Sequence, residues 1–235
     1  MPKVVIFSGA GISAESGIST FRDADGLWEN HKIEEVCYYP TWKHNKALVY
    51  DFYNKRRQQL KDVEPNHIHY MLAELQNRFN AIHITQNVDD LSERANGKSI
   101  IHVHGELTKM MCDSCGHTWE VYYNSVSLGD ACPKCCNVDN IKPFVVFFGE
   151  QAPEYKKMYA IIESLKQEDI ILVIGTSNSV VDIYGMIKNK KCHKILCNLE
   201  KSNHKTERQF KYKFFGKGTE HIDEICFLIE NLINS

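Results

Sequence analysis

The sequence predicts an α/β protein with one large domain and a small insertion, and three observations carry that expectation. Lys3–Ser8 is an apolar, β-branched run that reads as a buried strand, and it opens directly into Gly9-Ala-Gly-Ile-Ser-Ala14, a glycine turn leading into a helix. Ala81–Thr85 and Ile170–Ile174 are further apolar strands that end in polar or glycine-rich turns, where open α/β sheets place ligand contacts. Cys112, Cys115, Cys132 and Cys135 follow the spacing C-x2-C-x16-C-x2-C, the pattern of a closed tetrahedral zinc site.

Bulk properties narrow the function classes. A chain of 235 residues, 43% apolar and 25% charged, can bury a substantial core. Its net charge of −2 gives no electrostatic reason for a nucleic-acid or anionic-membrane partner. No apolar run approaches the ~20 residues that span a bilayer, and Met1–Phe7 is too short for an export signal. Nine cysteines in such a chain point to a reducing, cytoplasmic setting and to metal ligation rather than disulfides. There is no internal repeat and no low-complexity segment.

In the first turn, Gly9 and Gly11 supply backbone freedom and close approach, and Ala14 stands where the third small residue of G-x-G-x-x-G/A belongs. Backbone N–H groups at the start of the next helix would suit a pyrophosphate, although the same strand–turn–helix serves proteins without a nucleotide. A dehydrogenase would place an acidic residue on a second strand about twenty residues on. Here Ser16-Gly-Ile-Ser-Thr-Phe-Arg-Asp23 follows instead, a Ser/Thr/Gly loop suited to covering a phosphate-bearing ligand.

Residues 46–60 carry Leu48, Val49, Phe52 and Leu60 at near-helical spacing, and residues 65–75 place Ile68, Leu72 and Leu75 on one face. Both belong to a helical insertion between the first and second core strands. Tyr53 and Arg56 share a helical face, which serves equally as a solvated basic surface or as part of a site. Gln86-Asn-Val-Asp89 at the end of the second strand suits either ligand contacts or an Asx turn capping the next helix.

His102 and His104 alternate on the next short strand. A His-x-His metal pair lacks a nearby third ligand, so His104, beside Gly105, reads as a general base and His102 as a structural residue. Cys136 is a spare thiol beside the zinc pattern, which can confuse the ligand set; Cys37, Cys192, Cys197 and Cys226 read as buried thiols. Phe144–Glu150 reads as a return to the main sheet, Ile170–Ser177 and Lys194–Glu200 as further core strands, and Ile222–Ile233 as a helix packed on the sheet.

GAGISAESGI followed by TFRD resembles the opening signature of the sirtuins, the NAD-dependent protein-lysine deacylases. TQNVDDL, the HVHG step, the paired cysteines, PFVVFFGE, GTS and NLE resemble further family motifs in family order, with Ile141-Lys142 in place of the usual apolar-Arg pair. The resemblance implies a Rossmann-like doubly wound parallel sheet with a smaller helical plus zinc-ribbon lobe and the active site between them. The large lobe would comprise about 1–28, 78–108 and 142–235, and the small lobe about 29–77 and 109–141.

The resemblance also implies residue roles. Gly9, Ala10, Gly11, Ala14, Thr20, Phe21 and Arg22 would bind NAD, with Phe21 and Arg22 covering the reactive carbon. Gln86 and Asn87 would contact the nicotinamide ribose and Asp89 the carboxamide, with Asn87 also placing water or ribose for catalysis by His104. Gly175, Thr176, Ser177, Asn198, Glu200 and Gly218 would hold the adenosine half. Val146, Phe148, Gly149 and Glu150 would pair with a substrate peptide by β-augmentation.

Tyr-x-x-Arg at Tyr53 and Arg56 resembles the class III, desuccinylase-type acyl pocket, where the pair binds a terminal carboxylate. Cys37 replaces the usual small Ala of that class and would narrow the pocket. The implied reaction removes acetyl and succinyl or malonyl groups from protein lysines, giving nicotinamide and O-acyl-ADP-ribose, with structural zinc and a monomeric chain. An NAD glycohydrolase or ADP-ribosyltransferase would use the same cleft, but the complete ribbon and the peptide edge favour a protein substrate.

Overall fold

The computed structural model describes residues 2–19, 27–28, 31–202 and 205–235, with only the backbone for 27–28. The main sheet has six parallel strands: β1 Val4–Ser8, β4 Ile82–Thr85, β5 Ile101–His102, β9 Ile170–Ile174, β10 His193–Asn198 and β11 Tyr212–Phe215, in the order β11-β10-β9-β1-β4-β5. From β1 the chain moves outward through β4 and β5, then returns to β9 on the other side of β1. The strand order therefore reverses between β1 and β9, and a crevice opens at their carboxyl ends.

The apolar strand runs have no polar face because both faces are covered. Val5, Phe7, Ile171 and Val173 pack on one side with Met158 and Ile162 of α6 (Tyr155–Glu163) and Ile183 of α7 (Ile183–Met186). Val4, Ile6, Leu172 and Ile174 pack on the other with Leu72 and Leu75 of α4 (His67–Phe79) and Ile225 and Ile229 of α8 (Gly218–Asn234). The doubly wound parallel sheet anticipated by the sequence is the fold.

A second sheet, β7-β6-β8, is antiparallel: β6 Gly105–Cys112, β7 Thr118–Glu120 and β8 Ile141–Val145. Phe144–Glu150 therefore does not rejoin the main sheet as its apolar composition suggested; β8 pairs with β6 and carries the chain out beside His104, whose carbonyl accepts from Val146 N–H at 2.9 Å. Gly105 makes this approach possible, since a Cβ there would stand 2.1 Å from the Phe144 carbonyl oxygen.

The helical insertion divides between the two layers. α3 (Lys46–Lys61) packs Val49, Phe52 and Tyr53 with Val145 and Phe147, whereas α4 joins the main-sheet core. Within the 29–77 segment expected in the small lobe, the apolar face of α4 instead meets α8 on the main sheet. Short elements complete the fold: α1 Gly11–Ala14, β2 Leu27–Trp28, β3 His31–Lys32, α2 Ile33–Val36 and α5 Leu91–Arg94. Among the described residues no helix is long and apolar enough to cross a membrane.

The first glycine turn works differently from the sequence expectation. Neither Gly9 nor Gly11 has a positive φ. A Cβ on Gly9 would lie 2.8 Å from Gly175 O, and one on Gly11 would lie 2.7 Å from Gly175 Cα, so both positions need to be small for the β1 and β9 turns to interlock. Gly175 itself has φ +64, and its Cβ would meet Ile12 N at 2.7 Å. Gly175→Ala should therefore lower unfolding stability by about 2 kcal/mol or more, through backbone strain plus displacement of the β1 turn. Urea titration checks this; an unchanged midpoint would contradict the interlock.

Candidate active site and zinc ribbon

A cavity of about 1240 Å³ occupies the crevice and gathers three strand-end turns. Gly9, Ala10, Gly11 and Ala14 line it from β1, Gln86, Asn87 and Asp89 from β4, and Gly175, Thr176 and Ser177 from β9. Asn198 and Gly218 also line it, while Glu200 is exposed and lies beyond it. Thr20, Phe21 and Arg22 fall outside the described residues.

The turns are bonded to one another. Gly11 N–H donates to Gly175 O at 2.8 Å, and Gln86 Nε2 donates to Thr176 Oγ1 at 2.8 Å. Asn198 clamps the third turn in two directions, accepting from Thr176 N–H at 3.0 Å and donating to Thr176 O at 2.9 Å. α1 is a single turn rather than the longer helix of a dinucleotide-binding βαβ unit, and its first N–H is already used by Gly175.

Ser13, not among the expected site residues, is a hub of the cavity lining. Its hydroxyl donates to Asp89 Oδ2 at 2.9 Å and accepts from Asn87 Nδ2 at 2.9 Å. Burial pushes the Asp89 carboxyl up, while the Ser13 and Leu91 donors pull it down. Asn87 Oδ1 is buried with no hydrogen-bond partner among the described residues, an acceptor left for a ligand. Only this local hydroxyl–amide geometry, not the spacing of the sequence, identifies Ser13.

His104 has a tautomer fixed by its partners. Nδ1 lies 3.1 Å from the Gln86 carbonyl oxygen, which can only accept, so Nδ1 carries the hydrogen. Nε2 is then the basic nitrogen and accepts from Tyr155 Oη at 2.9 Å. Burial lowers the His104 pKa, only partly opposed by the Gln86 contact, so the ring is a neutral base at pH 7. Tyr155, at the start of α6, lines the same cavity and was not anticipated.

Val146, Phe148, Gly149 and Glu150 line the same cavity. Phe148, however, already pairs through its N–H with Cys37 O at 2.9 Å and through its carbonyl with Tyr39 N–H at 3.0 Å. Glu150 Oε2 accepts from Phe147 N–H at 2.9 Å and pairs with Lys142 Nζ at 3.1 Å. Lys142, 1% exposed, also donates to Val145 O at 2.7 Å. Lys142 in the usual Arg position thus holds the turn from beneath, its burial depressing its pKa against the pull of Glu150.

Tyr53 and Arg56 separate. Arg56 lines the cavity, but Tyr53 is fully buried between Phe52 and Phe147, with ring centroids at 5.1 and 5.8 Å, and does not line it. Cys37 lines the cavity there and its thiol contacts the Tyr53 hydroxyl. Neighbouring Arg57 is buried and holds a loop, donating from Nε to Asn124 O at 3.1 Å, while burial lowers its pKa to about 10.

The Sγ atoms of Cys112, Cys115, Cys132 and Cys135 lie within 4.8 Å of one another, with Cys112–Cys135 at 3.6 Å and Cys115–Cys132 at 3.7 Å. Tetrahedral zinc with Zn–S bonds of ~2.3 Å requires sulfurs about 3.8 Å apart, so the four thiols fit the ion. Four thiolates close its coordination, which makes the zinc structural. Cys136 is outside this cluster.

Crevice, strand-end turns and buried imidazole define a nucleotide-cleft enzyme of the doubly wound class, with a tetrathiolate ribbon attached. The profile of the Sir2 family matches residues 9–182, and the chain belongs to the Sir2 family. An NAD-dependent protein deacylase of Helicobacter hepaticus is 43% identical over 247 aligned positions, covering 96% of each chain. One from Helicobacter pylori is 46% identical over 180 positions, covering 77% of this chain and 76% of the relative. The fold is similar to that of a Sir2 homologue variant complexed with ADP-ribose, with TM-score 0.85 and 31% identity over 99% of this chain and 93% of that one. A Sir2 homolog–NAD complex gives TM-score 0.84 and 32% identity over 98% and 90% of the two chains.

Cys115→Ser should lose the metal and unfold the ribbon while leaving the main-sheet core intact. Elemental analysis should find one zinc per wild-type chain, and amide exchange in the variant should accelerate over β6–β8 and not over β1 and β9. Full protection of the ribbon without metal would contradict this.

Proposed function

We propose that the protein is an NAD-dependent protein-lysine deacylase that removes acetyl and carboxylate-tipped acyl groups such as succinyl and malonyl. The observation that carries the reading is His104: a neutral base of fixed tautomer in the same cavity as the interlocked glycine turns and the peptide edge. Orphaned Asn87 Oδ1 and the size of the cavity fit NAD.

Bound NAD would supply an electrophilic anomeric carbon, with nicotinamide as its leaving group, to the carbonyl oxygen of an acyl-lysine. The protein's part is to place and deprotonate. Gly9–Ala14 and Gly175–Ser177 present backbone to the phosphates and adenosine, and Asn198 fixes the latter turn. Asn87, with its unpartnered amide oxygen, would hold the nicotinamide ribose, and Asp89, anchored by Ser13, would hold the carboxamide. His104 Nε2 takes the proton of a ribose hydroxyl, which displaces Tyr155 Oη from that nitrogen. The deprotonated ribose oxygen would then bond to the acyl carbon, and one water would complete cleavage of the C–N bond to lysine. Acyl-lysine, NAD and water thus give free lysine, nicotinamide and O-acyl-ADP-ribose. Nine cysteines, none of them in a disulfide, support a reducing, cytoplasmic setting, in which we read the chain as a monomer acting on acyl-lysine proteins.

The acyl preference rests on Arg56, half-buried at the cavity wall, because Tyr53 stands behind Cys37. A planar guanidinium pairs with a carboxylate through two parallel hydrogen bonds. Arg56→Met should lower kcat/KM for succinyl-lysine by on the order of 2–5 kcal/mol, and for acetyl-lysine far less, since an acetyl group carries no charge for it to meet. Equal losses in a peptide deacylation assay would reduce Arg56 to a helix support.

His104→Ala should lower turnover by ~10²–10⁴-fold while NAD still binds, measured by steady-state kinetics and calorimetry. In the wild type, the acid limb of kcat/KM should lie below the ordinary imidazole value of 6.5, because burial favours the neutral ring that acts as base. Near-normal turnover of His104→Ala would show the base to be elsewhere.

A further inference from the structure

His102 has acceptors at both ring nitrogens. Nδ1 lies 2.8 Å from the Asn87 carbonyl oxygen and Nε2 lies 2.8 Å from Glu93 Oε1. Neither a carbonyl nor a carboxylate oxygen has a hydrogen to give, and a neutral imidazole has only one. Filling both contacts takes a second proton, on the ring or shared with the carboxylate. The His102 side chain is 6% exposed, but Glu93 is 42% exposed, at the edge of a separate cavity of about 180 Å³ that also contains His102.

We propose that His102 and Glu93 form a positioning dyad whose extra proton pins the Asn87 peptide in the arrangement the NAD cleft needs. The proposal rests on the reading of Asn87 as a cleft residue. Asn87 is held at three points: its N–H donates to Thr85 Oγ1 at 3.1 Å, its Nδ2 donates to Ser13 Oγ at 2.9 Å, and its carbonyl accepts from His102. The first two bonds join neutral groups. The third holds the Asn87 carbonyl itself, so the protonation of His102 bears directly on how the Asn87 peptide is set at the cleft.

Loss of the extra proton moves the remaining ring hydrogen to the stronger acceptor, the anionic Glu93. Nδ1 then turns a lone pair toward the Asn87 carbonyl oxygen at 2.8 Å, and the peptide must withdraw. The surroundings favour the protonated dyad. Asp89, Asp90 and Glu93 face the ring from the start of α5 and Glu106 from β6. Lys109 offsets part of this by pairing with Glu106 and with Glu120 of β7. His83 of β4 stays neutral, its pKa driven down to about 3 by burial, and bonds to Ser8 instead. Burial opposes the charge on His102, but Glu93 outweighs it and the pKa is raised. The pinned state is therefore present at neutral pH and is lost as pH rises through that raised value.

The test compares the full-length wild type with Glu93→Gln, a change at a half-exposed side chain that leaves the core untouched. A glutamine amide can donate to Nε2 of a neutral ring, so the Nδ1 hydrogen stays on Asn87 at every pH. Imidazole 15N NMR, with His102 assigned by its loss in His102→Gln, should show both nitrogens protonated in the wild type at pH 7 and only Nδ1 protonated in Glu93→Gln. The wild-type kcat should fall on the alkaline side, approaching about tenfold per pH unit, and Glu93→Gln should hold its kcat there. A neutral wild-type ring at pH 7, or identical alkaline limbs in the two proteins, would overturn the proposal. The NMR arm needs no turnover: a doubly protonated His102 in a protein that removes no acyl group supports the dyad and contradicts the deacylase reading.

Discussion

Gly9 and Gly11 approach the backbone of Gly175 so closely that a methyl group on any of the three would collide with main chain. That contact joins the carboxyl ends of β1 and β9, the two strands between which the strand order reverses. Gln86 extends the junction to β4 by bonding Thr176, and Asn198 extends it to β10. Everything the cleft does depends on this junction. It fixes Ser13 and therefore Asn87 and Asp89, and through the Gln86 carbonyl it fixes the tautomer of His104. The glycines serve packing between turns first, and ligand access follows from it.

The second layer is organised around different chemistry. Its three strands are too short to bury a core alone, so the thiol cluster closes one end and α3 covers the other. Lys142 and Glu150 sit between this layer and the cleft. Their pairing is fully hydrogen-bonded to the turn at 143–150, the circumstance under which a buried ion pair holds a specific geometry. The small layer thereby presents the Val146–Gly149 edge at a fixed distance from His104, to whose carbonyl Val146 is bonded.

Much of this was legible in the sequence because the relevant signals are local. Strands that end in glycine or polar turns, a tetrathiolate spacing and a histidine before glycine each need only a few neighbouring residues. What escaped depends on packing between distant segments. Phe144–Glu150 is apolar enough for either sheet, and only its partner β6 decides. Helical spacing puts Tyr53 and Arg56 on one face, but Phe52 and Phe147 enclose the tyrosine and leave the arginine at the wall. Ser13, inside the glycine turn, and Tyr155, in no motif, gain their roles from contacts across 76 and 51 positions. His102 read as structural, and its two acceptors emerge only once α5 folds over β5.

One cleft couples consumption of NAD to removal of an acyl group from lysine. Quantitative mass spectrometry of products from NAD and a panel of acetyl- and succinyl-lysine peptides tests it most directly. Nicotinamide and O-acyl-ADP-ribose should appear in equal amounts, each matching the lysine freed. Nicotinamide and plain ADP-ribose, with the peptide acyl groups left in place, would contradict it.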